Sequence, residues 1–227
     1  MDSAALDVAL DLDPTLTYFD QRDPVNGTPK MRFTAGDAGS GPVASWTSDI
    51  GTAHVLSQAT SSAKPSRNIV GITPAVVFDG TNDKLTSTYS APATQSVYMV
   101  LKATVASKGS AQPVVAFGGI YLGLGSTGKM IAAGSAGPVQ TVGSLTSGVR
   151  YAVCITLNGN AATVEVNGEN VANNITTIGA LNILDFGASG ANFFGGELCE
   201  VCIYDVVHNQ TQRTAELASL RSWWSAT

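Results

Sequence analysis

Hydrophobic residues along the chain fall in short runs, some with a period of two. In LDVALDL, residues 6–12, Leu6, Val8, Leu10 and Leu12 share one side, while Asp7 and Asp11 occupy the other. That is the pattern of a strand with one buried face. Further apolar runs lie at 53–58, 75–79, 96–103, 113–117, 119–124, 129–133, 150–157, 161–166, 181–187 and 197–204, with turn residues between them. Many short strands with no intervening helical pattern predict an antiparallel sandwich or barrel. The clearest hairpin is RYAVCITL-NGN-AATVEV, in which Asn158-Gly159 is expected to supply the positive φ angles of a tight turn. Asn167-Gly168 is expected to close the next turn. Residues 21–45, rich in Pro, Gly, Asp and Ser, read as a long excursion.

Only the C-terminus has a helical period. In NQTQRTAELASLRSWW, Leu217, Leu220 and Trp224 fall at i, i+3 and i+7, and Asn209 or Thr211 offers an N-cap. The pattern as a whole predicts an all-β fold, two antiparallel sheets closed by one short C-terminal helix.

Composition agrees. Hydrophobic residues make up 44% of the 227, which excludes disorder, and charged residues only 13%, too few for the outer faces of a helical bundle. The net charge of −5 excludes a broad nucleic-acid footprint. That charge is uneven. Residues 1–23 carry six aspartates against Arg22 alone, and the remainder is neutral. The chain therefore divides into an acidic N-terminal strand or arm, 1–23, and a single domain, 24–227. The arm is expected either to pack as an edge strand in its own sheet or to attach the domain to a partner or to copies of itself.

No stretch reaches the roughly 18 apolar residues of a membrane helix, so no membrane insertion is expected. The opening MDSAALDVALDLD has no basic region and does not read as a signal peptide, which predicts folding in a cytoplasm. Cys199 and Cys202 form a CxxC, but in LCEVCIYD they sit on a predicted strand. Residues three apart on a regular strand face opposite sides, about 10 Å apart, too far for a disulfide. Reduced, unmetallated thiols are expected, with Cys154 a small core residue.

Several segments together resemble the laminin-G-like, concanavalin A-like jelly-roll superfamily of lectins and glucanases, in its bacteriophage virion form. They are Trp46-Thr47-Ser48-Asp49; Val76-Val77-Phe78-Asp79-Gly80-Thr81-Asn82-Asp83; Val164-Glu165-Val166-Asn167-Gly168; Asn192-Phe193-Phe194-Gly195-Gly196-Glu197-Leu198-Cys199-Glu200; and Ile203-Tyr204-Asp205 before the terminal helix. The resemblance spans about residues 43–224. It implies a jelly roll but leaves function open, since the fold hosts lectins, glycosidases, adhesion modules and virion proteins. Structural roles are expected for Phe78, Asp79, Gly80, Asp83, Asn167, Gly168, Phe194, Glu200 and Tyr204. Phe78 and Phe194 should enter the core, Asp79 and Asp83 should bond their own turn, and Glu200 should accept hydrogen bonds.

Glycosidases of this superfamily carry carboxylates at i, i+2 and i+4 of one strand. This chain has no such run, and Glu197 and Glu200, three apart, are expected on opposite faces. His54 and His208 lie in separate segments with no nucleophile motif. The stretch Gly123-Leu124-Gly125-Ser126-Thr127-Gly128-Lys129 lacks phosphate-loop spacing and reads as strand, turn, strand. No catalytic residue and no cofactor are expected. Some relatives bind calcium; Asp79, Asn82 and Asp83 offer three oxygens, short of the six to eight that ion takes. A glycan platform needs an exposed aromatic with a few polar groups, and Trp46, Tyr121, Trp223 and Trp224 are the candidates.

Two functions follow. One is a non-enzymatic virion protein on the particle surface: a capsid decoration, fibre or tail component assembled in a host cytoplasm. Its partners would be other virion proteins, copies of itself or host-surface glycans. The alternative is a carbohydrate-binding adhesion module of a bacterial protein, on an extracellular surface.

Overall fold

The structure, a computed structural model, describes residues 23–38, 41–70, 73–134, 137–167, 169–174 and 182–226. The predicted strand at 6–12, the acidic arm up to residue 22 and Gly168 lie outside the described residues.

Two antiparallel sheets pack face to face as a jelly-roll sandwich. The larger has nine strands: β1 Met31–Thr34, β3 Ile50–Gly51, β5 Ser66–Val70, β6 Thr73–Asp79, β8 Thr94–Ala103, β13 Arg150–Asn158, β14 Ala161–Val166, β15 Glu169–Asn174 and β19 Gly195–Tyr204. The other has eight: β2 Ser45–Thr47, β4 Val55–Ser57, β7 Leu85–Thr88, β9 Gln112–Phe117, β10 Ile120–Leu124, β11 Lys129–Gly134, β12 Gly137–Ser144 and β16 Ile183–Phe186. Its spatial order is β12-β11-β10-β9-β16-β7-β4-β2. A small ribbon, β17 Ala188–Ser189 with β18 Asn192–Phe193, precedes β19, and one helix, α1 Gln210–Trp224, ends the described chain.

Two cores result. The main one lies between the sheets, where Val97, Met99 and Leu101 of β8 meet Val115 and Phe117 of β9 and Leu122 of β10. The second lies on the outer face of the nine-stranded sheet, where Tyr98, Val100, Cys154 and Tyr204 are roofed by Leu217, Leu220 and Trp224 of α1. Strand β8 is covered on both faces, which explains its nearly unbroken apolar run. Helix α1 starts with a capping box. The Asn209 side chain accepts the Gln212 amide at 3.0 Å, and the Gln212 side chain accepts the Asn209 amide at 3.0 Å. Arg150 donates to the Trp224 carbonyl at 3.0 Å, serving an orphan acceptor at the other end.

Three expectations need correcting. The excursion at 21–45 contains β1, whose Met31 and Phe33 enter the main core while Arg32 and Thr34 point the other way. An arginine at an alternate position hid the strand. Second, the turn between β13 and β14 is Gly159-Asn160; only Gly159 has positive φ (58°), and Asn158 stays in the strand opposite Ala161. Asn167, with φ 52°, does turn the chain towards β15.

Third, β19 carries a bulge between Leu198 and Glu200. One extra residue resets the alternation. Leu198, Val201 and Ile203 face the main core, whereas both Cys199 and Cys202 face the helix. The two cysteines therefore share a side. All three cysteines are buried and free of disulfides. Burial pushes the Cys199 thiol up to about 12, and Cys154 likewise upward. Glu197 and Glu200 are likewise brought to one face, reaching Arg150 and Trp224 respectively.

Beneath the helix, His208 is buried, its Nδ1 2.8 Å from the Tyr98 hydroxyl and its ring 4.4 Å from that of Tyr204. Burial, reinforced by Arg213, holds its pKa below the ordinary value. Other ionisable groups near this cluster are Cys154 and Glu216. A lowered folded-state pKa means the unfolded chain binds the proton first. The stability due to neutral His208 is thus complete above the unfolded value of about 6.5 and is lost as pH falls below it. His54, also lowered by burial, acts in the same direction. The melting temperature should fall between pH 7 and pH 5, and the fall should be smaller in His208→Gln. An equal slope in the variant would contradict this account.

Candidate functional site

Among the described residues, the outer face of the eight-stranded sheet carries no helix. Ile120, Leu122 and Leu124 of β10 point into the main core, so Tyr121 points outward. Its surroundings are small. Along its own strand, two residues away on either side, stand Gly119 and Gly123, and directly across the ladder stand Ala116 of β9 and Ala133 of β11. Beyond them the same transverse row continues to Asp185 on one side and Pro138 on the other. Of the near positions, only Ile131, diagonally across on β11, carries a large side chain. The strands supply this arrangement directly, because residues opposite in an antiparallel ladder share a face.

Tyr121 forms one end of a surface cavity of about 370 Å³. Ile131 contributes to its lining, Pro138 and Gln140 of β12 flank it, and Ser126, Thr127 and Lys129 frame the far end. Those last residues belong to the β10–β11 hairpin, so Gly123–Lys129 is a strand, turn and strand as expected. Gly128 there has φ 80°, and a Cβ would stand 3.1 Å from the Ala106 carbonyl, so the turn requires glycine. Among the described residues no carboxylate pairs with the Lys129 ammonium. Partial burial raises the Tyr121 pKa, keeping its hydroxyl protonated at neutral pH.

The other aromatic candidates separate from Tyr121. Trp46 is 0% exposed: its indole N–H donates to the Thr34 carbonyl at 2.9 Å, and its ring packs edge-on to Phe33 (5.9 Å) and Phe186 (5.6 Å). Trp224 is 1% exposed and donates to Glu200 Oε2 at 2.5 Å. Neither offers a face to a ligand, because each is consumed in packing. Trp223 is 39% exposed but lies on α1, on the opposite side of the sandwich from Tyr121.

Phe78 and Phe194 are buried 6.1 Å apart, and Tyr204 lies in the second core. Glu200 accepts from the Trp224 indole and, at 3.1 Å, from the Cys202 thiol. Asp79 Oδ1 accepts the amides of Thr81 (2.7 Å), Asn82 (3.1 Å) and Asp83 (3.3 Å), while Asp83 Oδ2 accepts the Asp79 amide at 2.9 Å. Burial raises the Asp79 carboxyl, but those donors and Lys108 outweigh it and hold it below the usual range. Gly80 turns the chain at φ 75°. These carboxylates are thus already engaged in closing their own turn. Among the described residues no group of three or more His, Cys, Asp or Glu side chains is placed to hold a metal ion.

A larger cavity, about 480 Å³, lies beside that turn. Its polar groups are satisfied internally. Lys108 donates to the Gly80 carbonyl at 2.6 Å, and the Gln112 amide donates to the carbonyls of Val105 (2.7 Å) and Ala106 (3.1 Å). Among the described residues the cation of the cavity at Tyr121 has no carboxylate partner, which favours that cavity despite its smaller volume.

One pairing was invisible in the sequence. His54 Nε2 lies 2.5 Å from Ser87 Oγ, and Tyr89 packs edge-on to His54 at 5.5 Å while donating to Asp205 at 3.2 Å. Ser87 stands opposite Leu184, whose side chain faces the main core. The serine hydroxyl therefore turns between the sheets, and the cluster closes that end of the sandwich.

The fold is shared with known carbohydrate-related domains. Domain 4 of AbnA, a GH43 extracellular arabinanase from Geobacillus stearothermophilus solved with arabinotriose, superposes with TM-score 0.53 at 17% identity. The match covers 67% of this chain and 81% of that one. The CBM40 domain of the Ruminococcus gnavus IT-sialidase, bound to α2,3 sialyllactose, gives TM-score 0.50 at 12% identity over 63% of this chain and 95% of its own. Trypanosoma rangeli sialidase gives TM-score 0.61 at 12% identity over 87% of this chain, which spans only 33% of that enzyme. No family model matches the chain, and no curated protein matches its sequence. Such distant likeness establishes the lectin-like jelly roll and nothing finer.

Proposed function

We propose that the chain is a non-catalytic carbohydrate-binding module that holds a glycan on the open face of the eight-stranded sheet. The observation that carries this reading is Tyr121, an aromatic ring set among Gly119, Gly123, Ala116 and Ala133 at the head of a cavity lined by the polar side chains of Ser126, Thr127, Lys129 and Gln140. A sugar presents an apolar C–H face and a rim of hydroxyls. The tyrosine ring suits the first, and Gln140, Ser126 and Thr127 suit the second. Two similar structures support the reading, one solved with arabinotriose and one with sialyllactose. Glu197 is engaged by Lys102 and Arg150, and Glu200 by Trp224, so the two carboxylates that the bulge brings to one face serve the fold. A place on a virus particle remains an expectation of the sequence resemblance; no feature of the fold favours it over a glycan-binding role elsewhere.

The test is a glycan array followed by calorimetry on the hits. Tyr121→Ala should weaken binding at least about tenfold, on the scale of a lost aromatic anchor. Trp223→Ala, on the opposite side, should leave binding unchanged. A wild-type protein that binds no glycan, or a Tyr121→Ala protein that binds equally well, would reject the reading.

A further inference from the structure

On the glycan-binding reading above, we propose that the site selects oligosaccharides bearing a carboxylate, and that Lys129 is the group that receives it. Tyr121 pairs with Ala133, and Lys129 precedes Ala133 by four residues on the same face of β11. At about 3.3 Å per residue the two positions are about 13 Å apart along the strand, the reach of a short oligosaccharide rather than of a single ring. Both line one continuous cavity. A ring stacked on Tyr121 thus leaves a neighbouring unit beside the ammonium.

Charge makes the choice between a neutral and an acidic ligand. The protein carries a net charge of −5, yet the described residues that line the cavity include one cation and no acid. Two carboxylates approach the same sheet from its flanks. Asp185 lies two strands away from Tyr121 on the side opposite β11, and Glu169 accepts the Gly143 amide at 3.3 Å. Neither forms an ion pair with Lys129. A lysine is a compact point charge on a flexible stem, able to follow a carboxylate whose position varies with linkage. Gln140 and the Ser126 and Thr127 hydroxyls complete a polar end suited to the same unit. The cavity is therefore polarised: an aromatic end for any pyranose or furanose face, and a cationic end that rewards an anion.

The experiment measures Kd for sialylated and uronate-bearing oligosaccharides, for neutral oligosaccharides of the same length, and for the methyl ester of each acidic one. Wild-type protein should prefer the free acid over its ester. Lys129→Met should weaken binding of the acid by about ten- to a hundredfold, the range of a hydrogen bond to a charged group, and leave neutral glycans and the ester unchanged. Lys129→Arg should retain most of the preference, and raised salt should reduce it. Equal affinity for acid and ester, or a loss in Lys129→Met that is the same for neutral glycans, would overturn the proposal while Tyr121-dependent binding still upheld the glycan reading. Absence of binding to every glycan would defeat both. Unchanged melting of Lys129→Met is the control that separates a lost contact from a lost fold.

Discussion

Replacing Asp49 by alanine is expected to destabilise the protein by about 3–5 kcal/mol, the cost of stripping one partner from a buried ion pair. The Arg32 side chain is 2% exposed, and its guanidinium reaches Asp49 through Nε at 2.8 Å and through a second nitrogen. Thr34 Oγ1 donates to the same carboxylate oxygen at 3.3 Å. Burial opposes the charge on Arg32, and Asp49, with Glu200 and Cys202 behind it, outweighs burial and holds the arginine pKa above its ordinary value. Without Asp49 that charge stays in the interior, because Arg32 is anchored in β1 between β19 and β3. Asp49→Asn keeps the shape and an acceptor but loses the charge, so its loss should be smaller. Urea unfolding of the two variants measures both values. A loss under about 1 kcal/mol in Asp49→Ala would mean that water reaches Arg32 and that the pair behaves as a surface one.

Trp46→Ala should cost a similar amount, about 3–5 kcal/mol, the range for deleting a large aromatic from a core. The indole fills the space between Phe33 and Phe186, which themselves meet at 5.1 Å, and its N–H serves the Thr34 carbonyl. Truncation removes the packing and leaves that carbonyl without its donor. Tyr121→Ala, by contrast, should cost only about 1 kcal/mol, as for a half-buried ring outside the core. Thermal melts of the two variants side by side separate the aromatics that build the sandwich from the one offered to a ligand. A Tyr121→Ala protein as unstable as Trp46→Ala would show that ring to be structural.

The contrast also marks how far the sequence alone reaches. Short apolar runs located β4, β6, β8, β9, β10, β11, β13, β14, β16 and β19, and the i, i+3, i+7 spacing located α1. Strand β1 escaped because its alternate residues, Arg32 and Thr34, are polar yet buried on the helix side. Pattern reading assumes that a polar residue in a strand faces water. The bulge in β19 escaped because nothing in LCEVCIYD announces an inserted residue; the regular alternation put Cys199 and Cys202 on opposite faces. Among the four aromatic candidates, Tyr121 could be told apart only in part. The motif Gly119-Ile120-Tyr121-Leu122-Gly123 already shows an aromatic with bare neighbours along its strand. Ala116 and Ala133, the other half of that clearing, are set by cross-strand register, which a single sequence does not state. Lys129 stood in the sequence as the end of a failed phosphate-loop match, and only the hairpin places it over the same cavity as the tyrosine.

The second core has a consequence for chemical reactivity. Cys154, Cys199 and Cys202 all lie under α1, while the main core keeps the sheets together without help from the helix. Helix α1 is held to the sheet by an apolar stripe, by the Arg213–Glu165 ion pair and by its caps, and its opening would be a local excursion rather than global unfolding. Each such excursion uncovers thiols that are otherwise sealed, two of which, Cys154 and Cys199, burial also keeps protonated. The cysteines are thus latent: their chemistry keeps time with the lifting of a single helix.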